Sequence, residues 1–114
     1  LFVDGLYDFD NLFGVDFSTS KEQRVNTGES AMNHAMLFTG VDIDEEGNAR
    51  RFRVENSWGE EPGEKGFFTM DAAWFDANVF EVAVHVDDLP EDLRAAITEE
   101  PQHLPAWDPM GALA

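Results

Sequence analysis

The sequence has 114 residues, enough for one domain or part of one, and its 43% hydrophobic and 12% aromatic content is globular rather than disordered. Its 7 basic and 24 acidic side chains give a formal net charge of -17, which repels phosphate backbones and anionic bilayers, so no nucleic acid and no membrane is expected as a partner. It has no cysteine, which excludes a disulfide framework and thiolate metal sites and fits a reducing, cytoplasmic setting; no apolar run reaches the ~18 residues of a membrane span.

In chain order, residues 1–30 read as a connecting segment. Leu6, Phe9, Leu12 and Phe13 approach helical spacing between Gly5 and Gly14, and the polar stretch 18–30 reads as loop. Residues 31–86 read as a β-rich half-domain. Its first element is the near-continuous apolar run 32–43, predicted to be a strand buried on both faces. A turn at 44–48 follows. Residues 49–56 then alternate, with Arg51, Arg53 and Glu55 on one face and Phe52, Val54 and Asn56 on the other. The two segments make a hairpin. A charged turn around Pro62 and Gly63 leads to a short strand at 66–70. Asp71 is placed to cap a helix running to Asn78. Residues 79–86 alternate again, with Phe80, Val82, Val84 and Val86 on one face, and predict a fourth strand. Residues 87–104 read as a C-terminal helix capped by Asp88, with Pro90 in its first turn and Leu89, Leu93, Ala96 and Ile97 as its apolar stripe. Residues 105–114 form an arm with no secondary-structure period, stiffened by prolines, in which Trp107 is a candidate anchor.

Three residues are candidates for chemistry: His34 in the apolar run, Asn56 on the apolar face of the next strand, and Trp58. A hairpin can set His34 beside Asn56. An amide holds one imidazole tautomer without adding charge, and the free ring nitrogen can then take a proton from a thiol. An indole over that hydrogen bond keeps water from competing for it. Each residue also has an ordinary role. A lone histidine in a strand is more often a satisfied core residue than a base, Asn56 can close a strand, and Trp58 can be core. His34, His85 and His103 match no metal-ligand spacing, so no metal or other cofactor is expected.

The blocks Asn33-His34-Ala35 and Glu55-Asn56-Ser57-Trp58-Gly59, with Lys65-Gly66-Phe67, resemble the His and Asn blocks of papain-like cysteine peptidases. Residues 28–36 and the ending 105–114 are more specifically similar to the bleomycin hydrolase and aminopeptidase C branch. The resemblance implies an α+β fold, the β-rich half of a papain-like fold: an antiparallel β-sheet of about four strands with short helices and an extended C-terminal tail. It implies a catalytic His34, oriented by Asn56 and shielded by Trp58. The branch's cysteine nucleophile and its oxyanion glutamine belong to a missing N-terminal half, and neither Gln23 nor Gln102 aligns with that glutamine. Asn33 stands where the branch has threonine. The last residues would thread into the cleft, with the Ala114 carboxylate meeting the free amine of peptide substrates. The full-length protein is expected to be a homo-oligomer, a hexamer. The chain, which begins at Leu1 rather than Met, reads as the C-terminal portion of a cysteine aminopeptidase, inactive alone. The alternatives are a nucleophile-lacking binding or regulatory module, and a structural domain in which His34 and Asn56 are core residues.

Overall fold

Three strands organise the protein, and the computed structural model describes them within residues 1–111. Strands β1 (Leu37–Ile43), β2 (Ala49–Glu55) and β3 (Phe67–Asp71) form one antiparallel sheet in the order β1-β2-β3. The β1–β2 turn is held by the Asp44 carboxylate, which accepts the backbone N–H groups of Glu46 and Asn48 at 3.0 and 2.8 Å. The alternation along β2 decides its faces. Arg51, Arg53 and Glu55 are exposed, while Phe52 is half-buried and Val54 fully buried.

Helices α1 (Phe9–Phe13), α2 (Lys21–Asn26), α3 (Ala72–Asn78) and α4 (Glu91–Ala96) are all short. The Asp71 side chain caps α3 by accepting the Ala73 N–H at 2.9 Å, as the sequence predicts. Helix α3 lies on the sheet through an aromatic cluster: Phe75 stacks 4.8 Å from Phe52, and Phe38 meets both edge-on. Phe2 closes the far edge. Its N–H donates to the Thr69 carbonyl, its carbonyl accepts the Asp71 N–H, and its ring sits 5.0 Å from Trp74. The core is small: Val54 and Met70 are its buried apolar side chains.

Several expectations need correction. The polar stretch 18–30 contains helix α2. Its signal is a capping box, in which the Ser20 hydroxyl accepts the Gln23 N–H and the Gln23 side chain accepts the Ser20 N–H. Lys21 and Arg24 then reach the C-terminal end of α3. Lys21 Nζ donates to the carbonyls of Asp76 and Val79, and Arg24 to that of Ala77, so two cations meet the negative end of that helix dipole.

The run 32–43 is a strand only from Leu37, and β1 is exposed rather than buried on both faces: Leu37, Val41 and Ile43 are more than half exposed. Residues 79–86 form no strand. Alternation supplies one face but not a partner, and Phe2 already holds the outer edge of β3. The sheet therefore has three strands, not four. Asp88 does not cap α4. Pro90 occupies the cap position with no side-chain bond, and residues Val86–Asp88 form a 3-10 turn capped by His85.

The arm bends where a straight path was expected, through a 3-10 turn at Pro109–Gly111 that packs on α2. Trp107 is not its anchor, being 83% exposed, whereas Asp108 and Pro109 are half-buried. Among the described residues no helix is long and apolar enough to cross a membrane.

Candidate active site

Asn56 is the first residue past β2, and the sheet fixes it from its backbone outward. Its N–H donates to the Gly66 carbonyl at 3.0 Å, which ties the end of β2 to the turn before β3. Gly66 has φ +84°, and a Cβ there would lie 2.8 Å from the Gly59 carbonyl oxygen, so only glycine lets the two turns approach this closely. Asn56 is 6% exposed, a buried polar residue beside the core residue Val54.

The side-chain oxygen of Asn56 has two lone pairs, and both are used. One accepts the Ser57 backbone N–H at 2.8 Å, and the other meets His34 Nε2 at 2.9 Å. A carbonyl oxygen only accepts, so Nε2 must donate. In the neutral ring the proton therefore sits on Nε2 and the lone pair on Nδ1. The Asn56 Nδ2 is buried with no hydrogen-bond partner among the described residues.

His34 is placed differently from its sequence expectation. It lies in the irregular segment before β1, and it is exposed rather than buried. One side of its bond to Asn56 is therefore enclosed and the other open. Trp58 lies over the imidazole with ring centroids 5.2 Å apart and planes tilted by 31°, yet the indole is itself 63% exposed. The three residues singled out in the sequence are thus in one cluster. The Ala114 assignment lies outside the described residues.

What the arrangement can do follows from its parts. An imidazole with Nε2–H fixed on an amide oxygen and, among the described residues, no partner at Nδ1 can act as a base there. The contact that orients it is neutral, an amide rather than a carboxylate. The chain contains no cysteine, so no thiol of its own can meet Nδ1. Sequence reasoning missed two contributors, the Ser57 backbone N–H and Gly66. A backbone donor leaves no trace in side-chain identity, and Gly66 was legible as part of the Lys65-Gly66-Phe67 block but not as the close approach to Gly59 that its positive φ allows. Among the described residues there is no group of three His, Cys, Asp or Glu side chains that could hold a metal ion. His85 caps its own turn 3.4 Å from the Asp87 carboxylate, and His103 is exposed.

Comparison with known proteins follows the same residues. A family model described as the Peptidase C1-like family matches residues 2–111. Aminopeptidase C of Lactobacillus helveticus is 50% identical over 117 residues, covering 100% of this chain and 26% of that protein. Bleomycin hydrolase of Homo sapiens is 48% identical over 112 residues, 96% of this chain and 25% of that protein. The crystal structure of PepW from Lactobacillus rhamnosis HN001 superposes with a TM-score of 0.84 at 45% identity, covering 94% of this chain and 24% of that one. The chain spans about a quarter of the length of the relatives it matches.

Proposed function

This chain belongs to the Peptidase C1-like family, and on that premise we propose that it supplies the base and the orienting amide of a papain-like cysteine aminopeptidase. The observation that carries this reading is the 2.9 Å contact of His34 Nε2 with Asn56 Oδ1, with no hydrogen-bond partner at Nδ1 among the described residues. In the working enzyme, Nδ1 takes the proton of a cysteine thiol supplied by the rest of the polypeptide, giving a thiolate and an imidazolium. The thiolate attacks the carbonyl carbon of the first peptide bond. The imidazolium returns its proton to the departing amine, and an acyl-enzyme thioester remains. Water, deprotonated by His34, then hydrolyses the thioester. Trp58 covers one face of the pair and limits competition by solvent.

The surface supports dependence on a larger body. The accessible area is 9427 Å², against about 6,300 Å² for a compact monomer of this mass. The radius of gyration is 17.0 Å, against about 13 Å for a compact domain of about 100 residues. A site half enclosed and half open matches that excess. The full-length protein acts as a homo-oligomer, a hexamer, on peptides.

The test is turnover of an aminoacyl fluorogenic substrate by the full-length protein. His34→Ala abolishes it, Asn56→Ala lowers it by about 10- to 100-fold because it only loosens ring orientation and tautomer, and this chain alone has none. Equal activity in wild type and His34→Ala contradicts the assignment. The absence of cysteine also favours a second reading, a nucleophile-lacking module. That reading predicts no active form when the polypeptide is completed with the upstream sequence of its own gene.

A further inference from the structure

An asparagine amide can be turned over by 180° about its last bond with almost no change in shape, exchanging oxygen and nitrogen. At residue 56 the two orientations have opposite chemical consequences. With oxygen toward His34, Nε2 donates and the neutral ring keeps its lone pair on Nδ1. With nitrogen toward His34, Nε2 must accept, the ring proton moves to Nδ1, and the outward nitrogen can no longer take a proton. Something must choose between them, and His34 cannot, because a neutral imidazole offers either a donor or an acceptor at Nε2.

The Ser57 backbone N–H makes the choice. It lies 2.8 Å from the same oxygen and is a donor under all conditions. Turning the amide over would set an NH₂ group against this N–H, two donors face to face. The choice has a visible consequence: Nδ2 is left buried and, among the described residues, unpartnered in a residue only 6% exposed. A buried donor without a partner is a costly arrangement, and this orientation carries that cost while both bonds to the oxygen are made. It is the one that satisfies Ser57 and His34 together.

We propose that the Ser57 backbone N–H is a positioning group that fixes the Asn56 amide with its oxygen toward His34 and thereby holds the base in its Nε2–H tautomer. This rests on the reading of His34 as the base, but it predicts a property of the imidazole that is measurable without any turnover. Because the group belongs to the backbone, any residue except proline at position 57 supplies it. The Ser57 hydroxyl takes no part.

The experiment replaces the amide at residue 57 with an ester. Lactic acid at position 57 is compared with Ser57→Ala, which has the same side chain and keeps the N–H. The tautomer of His34 is read from the two ring ¹⁵N shifts in ¹⁵N-histidine-labelled protein above the titration of the ring. The Ser57→Ala protein holds the Nε2–H form. The ester protein shifts the tautomer ratio toward Nδ1–H by about tenfold, the size expected for one lost hydrogen bond. Asn56→Asp removes the effect, because a carboxylate has oxygen on both branches and no wrong way round. In that background the ester and the amide give the same tautomer. An unchanged ratio on going from amide to ester in the Asn56 protein overturns the proposal. A measurement that leaves residue 57 intact covers the case of a poorly folded ester. The Ser57 amide proton exchanges slowly in the wild type and about tenfold faster in Asn56→Ala, which deletes its acceptor. Equal exchange in the two proteins overturns the proposal as well. Turnover of full-length His34→Ala equal to the wild type, with the tautomer still dependent on the residue 57 N–H, refutes the catalytic reading and leaves the clamp standing.

Discussion

Two regions of this chain are equally rich in large apolar side chains and meet opposite fates. In the sheet, Phe38, Phe52 and Phe75 pack together, Val54 and Met70 are fully buried, and Asn56 is enclosed beside them. In the N-terminal arm, residues 6–17 of the connecting segment, Tyr7, Phe9, Leu12, Phe13, Val15 and Phe17 are each at least half exposed, although Phe9, Phe13 and Phe17 contact one another in sequence. Apolar composition is the same kind of driving force in both. What differs is geometry. The sheet offers a second layer, helix α3, capped by Asp71 and held at its other end by Lys21 and Arg24. Helix α1 has five residues and, among the described residues, packs on no such layer. The polar machinery sits beside the part of the protein that is best packed, and the apolar side chains of the arm stay exposed.

Side-chain truncation separates the two regions most sharply. Met70→Ala should lower stability by about 2–5 kcal/mol, because it empties a closed site. Leu12→Ala in the same chain should stay within about 0.5 kcal/mol, as for an exposed residue. Urea unfolding measures both. Similar losses in the two variants would erase the distinction. In the full-length protein, Leu12→Ala should instead approach the cost of a buried leucine, about 2–5 kcal/mol, if the rest of the polypeptide covers the arm.

The sequence revealed the well-packed region far better than the arm, for reasons visible in single residues. The β2 strand was legible because from Arg51 onward its residues alternate, with Phe52, Val54 and Asn56 inward and Arg51, Arg53 and Glu55 outward. Helix α3 was legible from Asp71. Helix α2 was hidden because it has no apolar stripe; only Ser20 and Gln23 mark it. Residues 79–86 mislead for the opposite reason. Their alternation is as regular as that of β2, but strand pairing is non-local, and a pattern says nothing about which edge is free. Trp107 misleads because size does not decide anchorage; the turn residues Pro109 and Met110 sit beside α2 instead. Of the site, His34, Asn56 and Trp58 were legible as residue types in recognisable blocks. The orientation of the Asn56 amide was not, since it is set by a backbone N–H.

A smaller effect probes the link between the packed sheet and the site. Gly66→Ala places a Cβ 2.8 Å from the Gly59 carbonyl oxygen at φ +84°, and should cost about 1–3 kcal/mol. It should also loosen the Gly66–Asn56 backbone bond, so the His34 ring signals should broaden or shift with it. Gly14 has φ +65° and open space around its Cβ position. Gly14→Ala should cost about 1 kcal/mol through conformation alone and leave His34 unmoved. Identical His34 spectra in the two variants would break the proposed connection.

The smallest effect lies at the far end of the sheet. Asp44 is held below the ordinary carboxylate value of 3.8, first by the Asn48 backbone N–H and then by the Asn48 side chain. A carboxylate with a lowered folded-state pKa contributes stability that is fully present above 3.8 and is lost as pH falls through the folded value. The β1–β2 turn should therefore loosen only below that point. Amide exchange of Glu46 and Asn48 should rise at low pH and be flat between pH 5 and pH 7 (about two units in which the carboxylate stays charged). Asn48→Ala deletes the side-chain bond but keeps the larger backbone one, so it should move the titration of Asp44 only part of the way back toward the ordinary value; a titration that does not move removes the Asn48 side chain as a cause.

His34, held by its hydrogen bond to Asn56, is proposed above as the base of a thiol enzyme. The most direct test of that role is the pH dependence of alkylation of the nucleophilic cysteine in the full-length protein by iodoacetamide. A cysteine paired with His34 should react as a thiolate well below the ~8.5 of an ordinary thiol, and His34→Ala should move the reaction up to that ordinary value. Asn56→Ala should lie between the two. If the alkylation profile of His34→Ala coincides with that of the wild type, His34 is not the partner of the thiol and the account fails.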